Sequence, residues 1–177
     1  FVSVPFSPEV EKWIEFLLGL PNEFKGIYML PIETCHLAMS VLNSIKADHP
    51  TQINENSVLS FIIQNKVSGV RQVVFSNNTI VFTRVVNYDF DDRNFASKFE
   101  QDVFRANEYL KMIFPKLRAQ DVTIINVLSE EIIEKIKNVA NHELNFINYS
   151  PIQIATKLGM SNVVATNNSN FSDIIIA

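Results

Sequence analysis

Hydrophobic residues near the N-terminus fall into two helical patterns with a short apolar run between them. The serine, proline and glutamate at residues 7–9 have the order of a helix cap, a first-turn proline and a first-turn acid, and apolar residues then recur at helical spacing up to Leu18. The run at residues 26–30 predicts a short buried strand. Pro31 opens a second predicted helix. The apolar face of this helix comprises Leu37, Ala38, Val41, Leu42 and Ile45.

A polar loop at residues 46–56 leads to three consecutive β-rich runs. They cover residues 58–63, 70–75 and 79–86, and the tripeptide between the second and third is polar, as is typical of a hairpin turn. The pattern therefore predicts a three-stranded antiparallel meander.

A long helix is predicted after the meander, from Asn94 to Phe114. It ends before Pro115, because proline cannot continue a helix. Its buried stripe is predicted to comprise Phe95, Phe99, Val103, Ala106, Leu110, Ile113 and Phe114.

Two strand–helix pairs are predicted next. A strand at 122–128 leads into a helix that Ser129 caps, and a strand at 144–148 leads into a helix that starts at Ser150 and ends near Gly159. A last apolar run lies at 174–176. The first of these helices has Ile132, Ile133, Ile136, Val139 and Ala140 on its apolar side. The whole order, α-β-α and then β-β-β-α-β-α-β-α, predicts an α/β fold with a mixed sheet and helices on its faces.

Composition narrows the chemistry that this fold could support. A length of 177 residues suits one domain or two small subdomains, and a core of this size needs no disulfide. The single cysteine permits neither an internal disulfide nor a cysteine-built zinc site, which fits a reducing compartment. A net charge of −4 argues against a general nucleic-acid binder. Only four glycines are present, whereas phosphate-binding turns usually need several.

No apolar stretch reaches the length of about 18 residues that a transmembrane helix needs. The first residues also lack the basic region of a signal peptide. Because the sequence starts at Phe1 rather than at a methionine, we expect it to be a piece of a longer protein, and a membrane anchor outside it stays open.

Few side chains suggest catalysis. Cys35 and His36 could act as nucleophile and base, but adjacent residues of a helix point about 100° apart, and a buried structural cysteine is the alternative interpretation. The three histidines, His36, His49 and His142, show no metal-binding spacing. We therefore assign no catalytic, cofactor-binding or metal-ligating residue.

Two features of the predicted surface allow two interpretations each. The acidic loop at residues 89–93 either docks a partner or a cation, or is a solvated loop whose acids favour the start of the following helix. Trp13 and the apolar residues 16–18 make the first helix unusually hydrophobic, and they form either part of the core or a surface for a partner.

Several segments have a recognisable order from residue 57 onward. The meander is "SVLSFIIQNKVSGVRQVVFSNNTIVFTRVV", which contains Phe82, Thr83 and Arg84 near its end. The long helix contains "FASKFEQDVFRANEYLKMIFP", and it is followed by "VTIINVLSEEIIEKIKNV", "INYSPIQIA" and the tail "NFSDIIIA". In this order and spacing, residues 57–177 resemble the second half of the actin-like ATPase fold, and in particular the PilM proteins of type IV pili. The tripeptide Phe82-Thr83-Arg84 stands where that family has a phenylalanine or similar residue, then any residue, then an arginine.

The resemblance implies a fold. Residues 57–177 would form half of an actin-like ATPase (RNase H-like) fold with a mixed sheet, and residues 1–50 would form a small, reduced α-β-α subdomain before it. A reduced first half of this kind is similar to the cytoplasmic domains of GspL-type secretion proteins and of BfpC-type bundle-forming-pilus proteins.

The residues at the phosphate-binding positions depart from this family. Active members carry an Asp-x-Gly turn after the first strand, whereas this chain has Gln64 and Asn65 there, and its only glycine in the turn is Gly69. A hydrated Mg²⁺ would find no carboxylate at that turn. The turn at residues 126–131 has no glycine and ends in two acids that would repel phosphate. The resemblance thus implies the fold, while these residues argue against ATP hydrolysis and against a bound cofactor.

By the same resemblance we expect a non-catalytic scaffold domain of an inner-membrane assembly-platform protein in type IV pilus biogenesis or type II secretion. It would lie on the cytoplasmic face of the bacterial inner membrane and reach the membrane only through a span outside this sequence. The implied partners are the hexameric secretion ATPase, a polytopic platform protein and a PilN- or GspM-like bitopic protein, with no nucleic acid. The alternative is a fragment of an active actin-like ATPase or sugar kinase, and a third interpretation is an α/β interaction module unrelated to secretion.

Overall fold

The computed structural model describes residues 7–21, 30–53, 58–65, 69–76, 79–115, 122–138 and 144–160. The helices are α1 (Pro8–Leu18), α2 (Leu30–Ile45), α3 (Phe95–Ile113), α4 (Glu130–Lys137) and α5 (Pro151–Lys157). The strands are β1 (Val58–Asn65), β2 (Gly69–Ser76), β3 (Thr79–Val86), β4 (Val122–Val127) and β5 (Asn145–Tyr149).

These bounds confirm the predicted meander, the long helix, the two strands that follow it and the last helix to within one or two residues. The helix after β4 is confirmed at its start and buries Ile132, Ile133 and Ile136, but it ends at Lys137, and Val139 and Ala140 of its predicted apolar side lie outside the described residues. The strand predicted at 26–30 lies outside the described residues except for Leu30, which is the first residue of α2 and not part of a strand. The apolar run at 174–176 also lies outside the described residues.

The five strands form one mixed sheet in the order β3-β2-β1-β4-β5. The meander strands pair antiparallel, whereas β1 pairs parallel with β4 and β4 pairs parallel with β5. All eight residues of the central strand β1 are buried, which fits a strand covered on both faces.

Successive side chains of each strand point to opposite faces of the sheet, so the core has two halves. On one face α2 and α5 pack on the sheet, and on the other face α3 and α4 do so. All five apolar residues predicted for α2 are buried in the first half-core, which also contains Phe61, Val73 and Ile125 from three strands. Residues 37–45 therefore pack directly on the sheet. The division of the chain near residue 50 stays a prediction.

The buried stripe of α3 is confirmed for Phe95, Phe99, Val103, Ala106 and Leu110. It is wrong for Ile113, which is 42% exposed, and only partly right for Phe114, which is half-buried beyond the helix end. Ile113 lies five full turns after the buried Phe95 and has the same direction around the helix, so its exposure reflects its place as the last residue of α3 and not its spacing.

Two of the three predicted helix caps are confirmed. The Ser7 hydroxyl accepts a hydrogen bond from the Val10 backbone N–H at 3.3 Å, and Ser150 forms a reciprocal capping box with Gln153. The hydroxyl of Ser129 makes no such bond, although Ser129 does precede α4. Within the described ranges, no helix has the length and hydrophobicity that a membrane crossing requires.

Candidate functional site

Ligands of open α/β sheets bind beside the carboxyl ends of the strands, at a point where successive connections turn to opposite faces. Such a point exists here between β4 and β5. The chain leaves β4 for α4 on one face of the sheet and leaves β5 for α5 on the other face. The carboxyl ends of β1, β4 and β5 therefore form the first candidate site, which we call the carboxyl edge.

Amide side chains occupy the carboxyl edge. Gln64 is 4% exposed, and its Oε1 accepts a hydrogen bond from the Ser129 backbone N–H at 3.1 Å. Asn126 is fully buried, and its Nδ2 donates to the Asn148 Oδ1 at 2.8 Å across the β4–β5 pair. These bonds tie the end of β1 to the start of α4, and β4 to β5.

This arrangement corrects the predicted role of Ser129. Its hydroxyl makes no capping bond to α4, and its backbone N–H donates to Gln64, which connects α4 to β1. Gln64 therefore accepts from one of the backbone N–H groups that a phosphate at the start of α4 would have used. Glu130 and Glu131 fill the first turn of the helix with negative charge. The edge is neutral and partly hydrogen-bonded internally, with the buried Asn126 Oδ1 left without a partner and with acids beside it, and such a surface does not attract an anion.

Gly69, the glycine of the turn after β1, has a structural reason for being glycine. Its φ is +76°, in the left-handed region, and it is the first residue of β2. A Cβ atom at this position would lie 2.2 Å from the Asn87 Oδ1 and 2.9 Å from the Val86 carbonyl oxygen. The space beside Gly69 is therefore taken by Val86, the last residue of β3, and by Asn87, which follows it, and these contacts explain the glycine without a ligand.

Arg84, which carries the resemblance at the end of the meander, joins β3 to the long helix. Its Nε donates to the Gln72 Oε1 at 2.7 Å, and its Nη2 donates to the Asp102 carbonyl oxygen at 2.8 Å. Gln72 in turn donates to the Ser60 hydroxyl at 2.8 Å. The Tyr88 hydroxyl donates to the Asp102 carboxylate at 3.1 Å, and burial raises the pKa of Tyr88. This partly buried network holds α3 against the meander and uses Arg84 as a structural residue.

A second polar cluster joins the turn after α2 to β5 and α5. His49 Nε2 lies 3.1 Å from the Tyr149 hydroxyl, and His49 Nδ1 lies 2.8 Å from the Gln52 Oε1. Lys157 Nζ donates to the Asp48 carboxylate at 2.6 Å, and this hydrogen bond lowers the pKa of Asp48. Because its members bond to one another, we interpret the cluster as a tie between two helices.

The first helix carries the second candidate site. None of the side chains of α1 is buried, and Trp13, Phe16 and Leu18 are 65%, 60% and 64% exposed. The rings of Trp13 and Phe16 meet edge to face, with their centroids 6.0 Å apart. Together with Glu9 and Lys12 they line a groove of about 370 Å³, which we call the α1 groove. Of the two interpretations of this helix, exposure favours a surface for a partner.

The remaining candidates from the sequence have local roles or stay open. In the acidic loop, Asp89 and Asp92 each accept a hydrogen bond from a backbone N–H two residues ahead, and Lys98 pairs with Asp92 at 2.5 Å. These bonds favour a solvated loop that leads into α3. His36 is exposed, and the side chain of Cys35 lies outside the described residues. In the part of the chain that is described, no three His, Cys, Asp or Glu side chains come together as metal ligands would.

Sequence reasoning missed the two contacts that define the carboxyl edge. Gln64 lies 65 residues from Ser129, and Asn126 lies 22 residues from Asn148, so no local spacing connects them. The available signal was a polar amide near the end of each predicted buried strand. The α1 groove had a clearer signal in its tryptophan, although the sequence could not separate a core helix from an exposed one.

The sequence was also compared with known proteins. No protein-family model matches it, and no curated protein matches it at a significant level.

Proposed function

We propose that this chain is a non-catalytic scaffold domain of an inner-membrane assembly platform, of the kind that serves type IV pilus biogenesis or type II secretion. Its fold would be the actin-like half-fold that the resemblance implies. Its role would be to bind the hexameric secretion ATPase and the platform protein at the cytoplasmic face of the bacterial inner membrane. Two properties of the described residues support this proposal.

The first is the chemistry of the carboxyl edge. The order of a meander, a long helix, and then β4, α4, β5 and α5 agrees with the implied half-fold. At the ends of the parallel strands, Gln64, Asn126 and Asn148 supply neutral amides that are bonded to one another or to the backbone. A Mg²⁺–nucleotide complex is usually held by one or two carboxylates. The chemistry of the carboxyl edge therefore supports an actin-like half-fold that lacks the residues for binding a Mg²⁺–nucleotide complex.

The second property, which carries the proposal, is the exposed aromatic face of α1. Burial of a tryptophan or phenylalanine side chain in an interface stabilises a complex by about 1.5–3 kcal/mol. Trp13 is a tryptophan, and tryptophan is one of the residue types that are enriched at the energetic centre of protein interfaces. A helix with Trp13 and Phe16 both more than half exposed has the character of a recruitment surface.

The test is binding of the chain to the secretion ATPase and to the platform protein of the same host, measured by biolayer interferometry. Trp13→Ala and Phe16→Ala should each weaken one of these complexes by about 30-fold, which corresponds to about 2 kcal/mol. Glu15→Ala is the matched control, because Glu15 is exposed on the same helix but does not line the α1 groove, so the affinity should be unchanged.

Two results would count against the proposal. One is the absence of binding to either partner by the unmodified chain. The other is micromolar binding of Mg-ATP with hydrolysis, which would favour the alternative of an active actin-like ATPase or sugar kinase.

A further inference from the structure

The acidic side chains of α1 are not neutralised by the helix that carries them. Residues 7–21 contain three glutamates and one lysine, so the segment has a net charge of −2, and all four of these side chains are exposed. The ion pairs among the described residues include none of the four. In α4, by contrast, Glu131 pairs with Lys135 and Glu134 pairs with Lys137. The first helix therefore presents unpaired negative charge to its surroundings.

One of these acids lies on the aromatic side of α1. Glu9, Trp13 and Phe16 share one side of the helix, because residues three and four positions apart are neighbours on a helix surface. All three line the α1 groove. The adjacent side of the helix is half-buried and comprises Val10, Ile14 and Leu17. Thus α1 has one half-buried side and, next to it, an exposed side on which an acid precedes two aromatic rings.

A carboxylate one turn away from an indole ring is suited to an arginine. A hydrogen bond with the side chain of Ser7 lowers the pKa of Glu9, so this carboxylate is ionised at neutral pH. A guanidinium can form two parallel hydrogen bonds with a carboxylate and also lie flat on an indole ring. Lys12, the one positive charge among the described lining residues, lies about 100° around the helix from Trp13 and leaves this corner open.

We infer that the α1 groove binds an amphipathic helix of a partner protein, in which arginines flank an apolar stripe. One arginine pairs with Glu9 and stacks on Trp13, while the apolar stripe covers the ring of Phe16, as in other complexes of a helix with a groove. The inference rests on the proposed function, because it takes the α1 groove as the recruitment surface, and it adds the chemistry of the segment that is recruited.

The charge of α1 distinguishes this partner from other occupants. Helices that lie on a membrane surface carry lysine and arginine, because the headgroups they meet are anionic. A segment with a net charge of −2 is repelled by such a surface. The α1 helix of a second copy would bring the same unpaired acids together. A basic amphipathic helix is the occupant that covers the aromatic rings and neutralises the acids at the same time.

Fluorescence of the whole chain tests the inference, because Trp13 is its only tryptophan and reports directly on the groove. The probe is a model helical peptide of about 18 residues, made of leucine and arginine with the leucines on one face. It should shift the Trp13 emission to shorter wavelength with a Kd of about 10–100 µM. A peptide with glutamate in place of every arginine should bind at least about tenfold more weakly.

A charge reversal in the chain locates the contact. Glu9→Arg should weaken binding of the leucine–arginine peptide at least about tenfold and strengthen binding of the leucine–glutamate peptide. Glu11→Arg is the matched control, because Glu11 also lies in the first turn of α1 but does not line the groove. It makes the same change in net charge and has the same effect on the helix dipole, and it should alter either affinity less than about threefold.

Three results would overturn the inference: equal affinity for the two peptides, equal effects of Glu9→Arg and Glu11→Arg, or no emission shift up to about 1 mM peptide. A larger shift with phosphatidylglycerol vesicles than with the leucine–arginine peptide would also overturn it. If the secretion ATPase or the platform protein binds but the peptides are not distinguished by charge, the inference fails and the proposed function stands. If neither protein binds but Glu9 controls binding of the leucine–arginine peptide, the proposed function fails and the inference stands.

Discussion

Replacement of Gly69 by alanine is the substitution whose effect the structure defines most closely. The residue has a φ of +76°, and the added methyl group would lie 2.2 Å from the Asn87 Oδ1 and 2.9 Å from the Val86 carbonyl oxygen. Gly159 provides an internal control because it has the same φ of +76° but no atom within 4 Å of its position for a Cβ. A comparison of the two glycines therefore separates backbone strain from steric overlap.

The expected magnitudes follow from these two contributions. A left-handed conformation costs an alanine about 1–2 kcal/mol, and this is the whole expected loss for Gly159→Ala. Overlap in a packed region adds about 1–3 kcal/mol, so Gly69→Ala should lower the free energy of unfolding by about 3 kcal/mol. In an Asn87→Ala background the closest contact is absent and only the Val86 oxygen remains, so about 1 kcal/mol of the loss should be recovered.

Urea unfolding followed by far-ultraviolet circular dichroism measures these differences. With a slope of about 2 kcal/mol/M, Gly69→Ala should lower the unfolding midpoint by about 1.5 M, and Gly159→Ala by about 0.5–1 M. If the two variants lose the same stability to within about 0.5 kcal/mol, the structural explanation of Gly69 is wrong.

Three further predictions concern polar contacts of the fold. Asn126→Leu should cost about 1–3 kcal/mol in urea unfolding because it leaves Asn148 without its donor, and the double variant Asn126→Leu/Asn148→Leu should recover part of this loss; equal losses in the two would contradict the pairing. Burial raises the pKa of Tyr88, so Tyr88→Phe should remove a tyrosine absorbance change that appears only well above pH 10.0. The stability that the protonated Tyr88 hydroxyl contributes is complete below pH 10.0, and it is lost as the pH rises through the pKa of the folded state. Asp48→Asn should lower the urea midpoint by a constant amount at pH values well above 3.8. The difference in midpoint between the variant and the unsubstituted chain should disappear as the pH falls through the lowered pKa of Asp48 in the folded state. A difference that grows on acidification would contradict the ion pair between Asp48 and Lys157.

Much of the fold could be predicted because each element has a local signal. The alternating and helical patterns, Pro8 and Pro151 at helix starts, and the polar turn between β2 and β3 all specify structure within a few residues. The order of the elements then restricts the sheet, because a meander pairs antiparallel and a strand–helix–strand unit pairs parallel.

Properties that depend on distant residues could not be predicted in this way. Ser129 has the sequence of a cap, but Gln64 from β1 bonds its backbone N–H, and its hydroxyl makes no capping bond. Ile113 continues the spacing of the α3 stripe, yet it is exposed because it is the last residue of the helix. The hydrophobicity of α1 was evident from the sequence, whereas its exposure depends on what packs around it.

The chemistry of the carboxyl edge could likewise be predicted only in part. The absence of an acid at Gln64 and Asn65 could be seen in the sequence, and it argued against ATP hydrolysis. The bond from Ser129 to Gln64 and the bond between Asn126 and Asn148 required the structure. The proposed scaffold function rests in part on these amide contacts, which occupy the edge where the resemblance implies a phosphate site.

Titration calorimetry of the whole chain with Mg-ATP tests this central claim most directly. We expect no binding heat up to about 1 mM nucleotide, because the carboxyl edge offers neutral amides where a metal needs carboxylates and acids where a phosphate needs free N–H groups. Micromolar binding of Mg-ATP that is abolished by Gln64→Leu would contradict the scaffold proposal, since the nucleotide would then occupy the carboxyl edge.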